Sequence, residues 1–226
     1  MALKKVILAV LASMLAVVLE AEPLDYGLSI AAYPSPEETH TGMALEGGRP
    51  IPLKGKTLEL SFDVYNRKDN VFGCVFRILT DKGENVDLMY TADLQDRRQP
   101  ILVTGTEVHL LDCPIPMEEW IHVSLSLNPK DGQLLLDYGG ETMSMRDAGT
   151  KGAESFRISF GLCPFAGYVL SDVASIDLRD VKLSRGGKPF RHWELARHAG
   201  DICYDELSAS PATVKNPVWL IDDYAS

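Results

Sequence analysis

Alternation with a period of two is the feature that most constrains this chain. Leu58, Leu60, Phe62 and Val64 fall on one side of an extended segment, with Thr57, Glu59, Ser61 and Asp63 on the other. Phe72, Cys74, Phe76 and Ile78 repeat the pattern, as do Val86, Leu88 and Tyr90. Ile121, Val123, Leu125 and Leu127 alternate with Trp120, His122, Ser124 and Ser126, and Phe156, Ile158, Phe160 and Leu162 with Arg157, Ser159 and Gly161. Successive side chains of a strand point to opposite faces, so such runs are half-buried antiparallel strands. Shorter candidates lie at 101–103, 108–111, 134–138 and 142–145. The core is expected to hold Phe62, Phe76, Val123, Leu125, Ile158 and Phe160.

The punctuation agrees with hairpins. Asn128–Gly132 (NPKDG), Tyr138–Glu141 (YGGE) and Thr80–Asn85 (TDKGEN) each separate two apolar runs with turn residues. One run changes phase: Ile176 and Leu178 are out of step with Val181 and Leu183. A bulge near Arg179-Asp180 returns both pairs to one face. One or two helical turns are expected within 194–198 or 201–207, and no long helix. About ten or eleven strands without βαβ units make an all-β, two-sheet antiparallel sandwich.

The N-terminus reads differently. Lys4 and Lys5 precede an apolar run from Val6 to Leu19, closed by Glu20, Ala21 and Glu22. The run is shorter than the about 20 residues a spanning helix needs, and has the form of a secretory signal. Residues 1–21 are therefore expected to be removed, leaving no transmembrane span in an exported chain, periplasmic or extracellular. The formal net charge is −10 with no basic stripe, which excludes nucleic acid as a partner. Cys74, Cys113, Cys163 and Cys203 allow three pairings into two disulfides, and their spacing chooses none.

Four segments, Leu58–Ile78, Glu118–Asn128, Phe156–Leu162 and Ala174–Ser184, follow in an order that resembles the concanavalin A-like jelly rolls of the laminin G-like and pentraxin-like branch. The closing stretch Phe190–Asp222, with its NPVWLID segment, resembles the junction in exported Bacteroidetes proteins where such a jelly roll precedes a Kelch-type propeller. The resemblance implies a sandwich over 22–207 and a connector over 208–226, the alternative being that Trp219–Ile221 folds back along the sandwich as a last strand. It further implies a following propeller, or another protein partner, engaged through Trp219, Leu220 and Ile221.

The same fold carries glucanases, lectins and adaptors, so function must come from the site. Laminarinase-type enzymes need two carboxylates at strand spacing, as Glu-x-Asp-x-Glu or Glu-x-Asp-x-x-Glu. The sequence has neither string, which argues for no catalytic role. His192, Glu194 and His198 lack the order that places two imidazoles on one helical face, so no metal site is expected there. Glu37-Glu38 and Asp222-Asp223 are acidic pairs of the kind that hold calcium weakly in some laminin G-like domains, and read more simply as solvated charge. No cofactor is expected.

What is left is recognition. A sugar site offers an aromatic plate with polar groups beside it. Tyr65, Asn66, Asp69 and Asn70 in the YNRKDN loop, Trp120 and His122 on one strand face, and Arg157 on another are the candidate ligand-binding residues. A Trp opening a strand is more often half-buried under a loop. The reading is a non-catalytic module for glycan or glycoconjugate, with a structural or docking domain as the alternative.

Overall fold

The computed structural model describes residues 25–68, 72–92, 98–170, 172–197 and 199–220. The expected signal segment, Asp69, Asn70, His198 and Ile221 lie outside them. In chain order the strands are β1 (Gly27–Ile30), β2 (Gly42–Ala44), β3 (Ile51–Pro52), β4 (Leu58–Asn66), β5 (Gly73–Thr80) and β6 (Asn85–Ala92). Next come β7 (Arg98–Thr104), β8 (Glu107–Leu110), β9 (Trp120–Asn128), β10 (Gln133–Tyr138), β11 (Glu141–Arg146) and β12 (Ser155–Gly161). The last are β13 (Ile176–Arg185), β14 (Lys188–Trp193), β15 (Ile202–Tyr204), β16 (Pro211–Lys215) and β17 (Val218–Leu220).

These strands form two antiparallel sheets. One runs β11-β10-β9-β4-β13-β1-β17, with β14 also paired to β13. The other runs β15-β16-β2-β12-β5-β6-β7-β8, with β3 also paired to β12. Sequence neighbours joined by the three expected turns are hairpin partners: β5 with β6, β9 with β10, and β10 with β11. The central pairings are long-range, as in β4 with β13 and β12 with β5.

The alternating runs meet between the sheets. Phe62, Phe76, Val123, Leu125, Ile158 and Phe160 are all buried in one apolar core. Burial of such side chains contributes about 1.5–3 kcal/mol each, which makes the register of every strand hard to shift. The phase change resolves as expected: the β4–β13 register slips between Arg179 and Lys182, and Asp180 takes a positive φ of 53°. Leu178 and Val181 are consequently both fully buried.

Four expectations are corrected. Phe72 shares the phase of Cys74 and Phe76 but precedes the strand and is exposed. Among the described residues of 194–207 no helix forms; Ile202–Tyr204 is a strand on β16, followed by a turn gathered around the Asp205 carboxylate. The strand count exceeds eleven because many strands have only two to five residues, too short to show a period.

Finally, residues 208–220, expected as a connector, are built into the sandwich. β16 pairs β2 and β17 pairs β1, so the chain crosses from one sheet to the other. Trp219 packs against the main core, and its indole Nε1 donates to the Gly200 carbonyl at 2.9 Å. All four cysteines are free thiols, three of them buried. Among the described residues no helix is long and apolar enough to cross a membrane.

Candidate functional site

The described members of the expected ligand-binding set, Tyr65, Asn66, Trp120, His122 and Arg157, do not all converge. Tyr65 and Trp120 are cross-strand partners on the outer face of β4 and β9, with ring centroids 5.6 Å apart. Beside them His122 Nδ1 lies 2.8 Å from Asp63 Oδ1. The free face of Trp120 is covered: the Arg179 guanidinium sits 4.0 Å above its ring. Cation–π stacking of this kind satisfies the indole face rather than offering it to a ligand.

Asn66 is corrected outright. The strand runs two residues further than the loop reading allowed, so the side chain points inward and is fully buried. Its Nδ2 donates to the Pro116 carbonyl at 2.8 Å, beside the Tyr138–Tyr90 hydroxyl pair. Arg157 is on β12 in the other sheet, stacked on Phe165 at 4.8 Å. It belongs to no group with Trp120. His192 is engaged on both ring nitrogens, by Asp180 Oδ1 at 3.0 Å and Glu206 Oε2 at 2.9 Å. Among the described residues no cluster of three or more metal-ligating side chains forms.

Exposed aromatics lie elsewhere, at the rim where the 31–41 segment, the start of β5 and residues 172–173 come together. Tyr33 is 60% exposed and Phe72 40% exposed. Their centroids are 6.5 Å apart with planes inclined at 35°. They line a shallow cavity of about 240 Å³ with Ser35, Glu37, His40, Asp172 and Val173. A second groove, of about 640 Å³, opens alongside over Gly42, Ala44, Leu162 and Thr213, and Glu37 lines both.

Local backbone requirements hold this rim in place. Gly73 adopts φ 126° and packs so closely that a Cβ would meet the Val173 carbonyl carbon at 2.4 Å. Cys74 N donates to Asp172 O at 2.9 Å, which fixes Phe72 beside Asp172. Across the cavity, a 3-10 turn at Glu37–Thr39 carries two acidic residues in its first turn. His40 Nε2 donates to the Ser35 carbonyl at 3.0 Å. Asn216, from the last segment of the chain, donates through Nδ2 to the carbonyls of Glu38 at 2.7 Å and His40 at 3.0 Å. The segment read as a connector therefore clamps one wall of the cleft.

Such an arrangement can hold an amphipathic ring. Two tilted aromatic faces offer an apolar platform, and the carboxylates of Glu37 and Asp172 are acceptors at its edge. None of these rim residues was singled out as ligand-binding from sequence. The available signal was Tyr33 beside Pro34 in a polar, Pro- and Ser-rich stretch outside any alternation, where an aromatic has no strand face to hide on.

No protein-family model matches the sequence, and a search of curated proteins gives no match. Solved structures do match. A heptameric SAP-like pentraxin from Limulus polyphemus superposes with a TM-score of 0.56 at 12% identity, covering 89% of this chain and 97% of its own. A proposed carbohydrate-binding protein from Bacteroides ovatus gives 0.58 at 10% identity, covering 89% of this chain and 62% of its own. The fold is a concanavalin A-like jelly roll. Domains LG4-5 of the mouse laminin α1 chain agree, with a TM-score of 0.50 at 12% identity over 88% of this chain and 49% of theirs. Identities this low carry the fold alone, and within the jelly roll the site rests on its own geometry.

Proposed function

We propose that this jelly roll is an exported, non-catalytic recognition module for a glycan or glycoconjugate, and that the rim cleft between Tyr33 and Phe72 receives the ligand. The observation that carries the reading is the exposed, paired aromatic surface over a cavity edged by carboxylates. Solvated aromatic faces cost free energy unless a ligand covers them, and a pyranose covers them while its hydroxyls keep polar partners. The carbohydrate-binding description of the Bacteroides ovatus protein supports this choice among the uses of the fold. The missing strand-spaced carboxylate pair supports a module that binds without cleaving.

The test is a glycan array probed with the exported chain, repeated with Tyr33→Ala and Phe72→Ala. The reading expects a defined set of hits that both substitutions weaken at least tenfold at unchanged melting temperature. Hits that survive both substitutions place the ligand elsewhere. Release of reducing ends from a hit by the pure protein sinks the non-catalytic part.

A docking role, to a protein or a following Kelch-type propeller, is the second reading. Trp193 is fully buried and offers no surface for it. The observation in its favour is at the sheet edge, where Val108 and Leu110 of β8 are 64% and 53% exposed. Trp219 and Leu220 take part in β17, so a partner would meet the outer edge of that strand.

A further inference from the structure

The cleft has a sign. Its two cavities share Glu37 as a wall, so they lie side by side, with the Tyr33–Phe72 pair in one and Gly42 and Ala44 in the other. Three carboxylates line them: Glu37, Glu38 and Asp172. Lys215, paired opposite Gly42 at the edge of the groove, is the one basic side chain among the described lining residues apart from His40, whose Nε2 is committed to Ser35. Among the described residues no arginine lines either part. Recognition of carboxylate or sulfate esters depends on guanidinium or ammonium donors, which pair with them in charge-assisted hydrogen bonds. An anionic sugar entering here meets like charge instead, and like-charge juxtaposition is how a site rejects a ligand of similar shape. The net charge of −10 acts in the same direction at longer range.

Resting on the glycan reading above, we propose that the cleft takes an uncharged or amine-bearing sugar chain and rejects uronic-acid and sulfated glycans. An ammonium group near Glu37 or Asp172 gains both a carboxylate and an aromatic face. The shared wall favours a chain of several sugars over a single terminal residue, with the aromatic pair holding one ring and the groove over Gly42 and Ala44 holding the next.

Titration calorimetry on the exported chain tests this. The uncharged probes are cello-, manno-, xylo- and laminari-oligosaccharides. The amine-bearing probe is deacetylated chito-oligosaccharide, and the anionic probes are oligo-alginate and oligogalacturonate of matched length. The expected result is that an uncharged or amine-bearing probe binds at least tenfold tighter than either anionic one. Affinity for the amine-bearing probe falls as salt rises from 20 to about 200 mM, as screening dictates. The triple variant Glu37→Gln, Glu38→Gln, Asp172→Asn is expected to weaken the amine-bearing probe and narrow the gap to the anionic ones; the sites are exposed, so folding is not at stake. Oligouronates that bind as well as the others overturn the charge inference and leave the glycan reading standing. An unchanged gap in the triple variant overturns it too. If no probe binds, and Tyr33→Ala behaves as the wild type on the glycan array, the glycan reading itself fails.

Discussion

Phe62 on β4 and Phe160 on β12 meet edge to face, ring centroids 5.0 Å apart and planes at 83°. One ring belongs to each sheet, so this contact is where the sandwich closes. Phe76 completes the cluster at 5.8 Å from Phe62. Replacing Phe160 with Ala removes a fully buried ring and leaves a cavity its neighbours fill only in part, at an expected cost of about 3–5 kcal/mol. Urea unfolding monitored by fluorescence checks it. A loss under about 1 kcal/mol would mean the ring is not where the two sheets hold together.

That closure was legible in the sequence because long strands repeat their signal. Four apolar inward positions in β4, four in β9 and three in β12 leave little room for another register. The bulge was legible for the same reason, since Leu178 and Val181 cannot both be inward without it. Short strands carry no such redundancy. β16 and β17 looked like a connector because Pro211 and Pro217 punctuate them and neither run is long enough to alternate. At the site the limit is different. Trp120 was correctly placed on the outer face, but its cover, Arg179, comes from a strand distant in sequence. Tyr33 and Phe72 are paired only by the fold, through Gly73 and the approach of residues 172–173.

Acid is expected to unfold the protein partly through Asp205. Burial pushes this carboxyl up, but hydrogen bonds from Ser210 N at 2.7 Å, the Ser208 hydroxyl at 2.8 Å and Leu207 N at 2.9 Å outweigh it. The net effect holds it below its ordinary value of 3.8. A carboxyl depressed in the folded state contributes stability that is complete above the unfolded value and lost as pH falls through the folded one. The window therefore lies below about pH 4. Asp205→Asn should lower stability at neutral pH by about 2–4 kcal/mol, through weakened charge-assisted bonds at a buried site. It should also flatten the stability profile between pH 5 and 2. Parallel acid limbs in wild type and variant would show that the loss comes from other groups.

Glu194 is expected to act with the opposite sign. Burial raises its carboxyl first, and the neighbouring Glu206 carboxyl, with which it shares a hydrogen bond, raises it further. A carboxyl raised in the folded state contributes stability that is present below the unfolded value and lost as pH rises through the folded one. Glu194→Gln keeps a neutral hydrogen-bonding group beside Glu206 at every pH. The variant should therefore be more stable than wild type at pH 7 and equal to it near pH 4, read from thermal melts at the two values. A variant destabilised equally at both would show that the Glu194–Glu206 bond is not protonated in the folded state.

The cleft wall can be probed without a ligand. Asn216 sits at φ 49° and spans the carbonyls of Glu38 and His40 with one side-chain amide. Asn tolerates this left-handed backbone better than most residues, and Gly tolerates it best. Asn216→Gly therefore removes the clamp with little backbone strain, whereas Asn216→Ala adds strain to the same loss. Both should speed amide exchange in the 37–41 segment, with Asn216→Ala the less stable of the two by about 1 kcal/mol. Unchanged exchange in Asn216→Gly would show that the 3-10 turn holds itself.

The last strand gives the sharpest test of how the chain ends. Trp219 is partly buried on the core, its indole bonded to Gly200, and β17 covers β1, itself completely buried between β13 and β17. Deleting residues 216–226 would expose the edge of β1 and strip the Trp219 packing and the Asn216 clamp together. Partial burial of one Trp, the hydrogen bonds of Asn216 and Trp219 and the β1–β17 ladder together suggest a loss of about 3–5 kcal/mol. For a domain of this size that lowers the melting temperature by roughly 6–20 °C. A truncated chain that melts within two degrees of the full one would mean that β17 is laid on the sandwich without stabilising it, and would return the segment to the role of a link between domains. A large drop makes it a structural strand, and any partner beyond it must then be recognised by the edge that β17 leaves open.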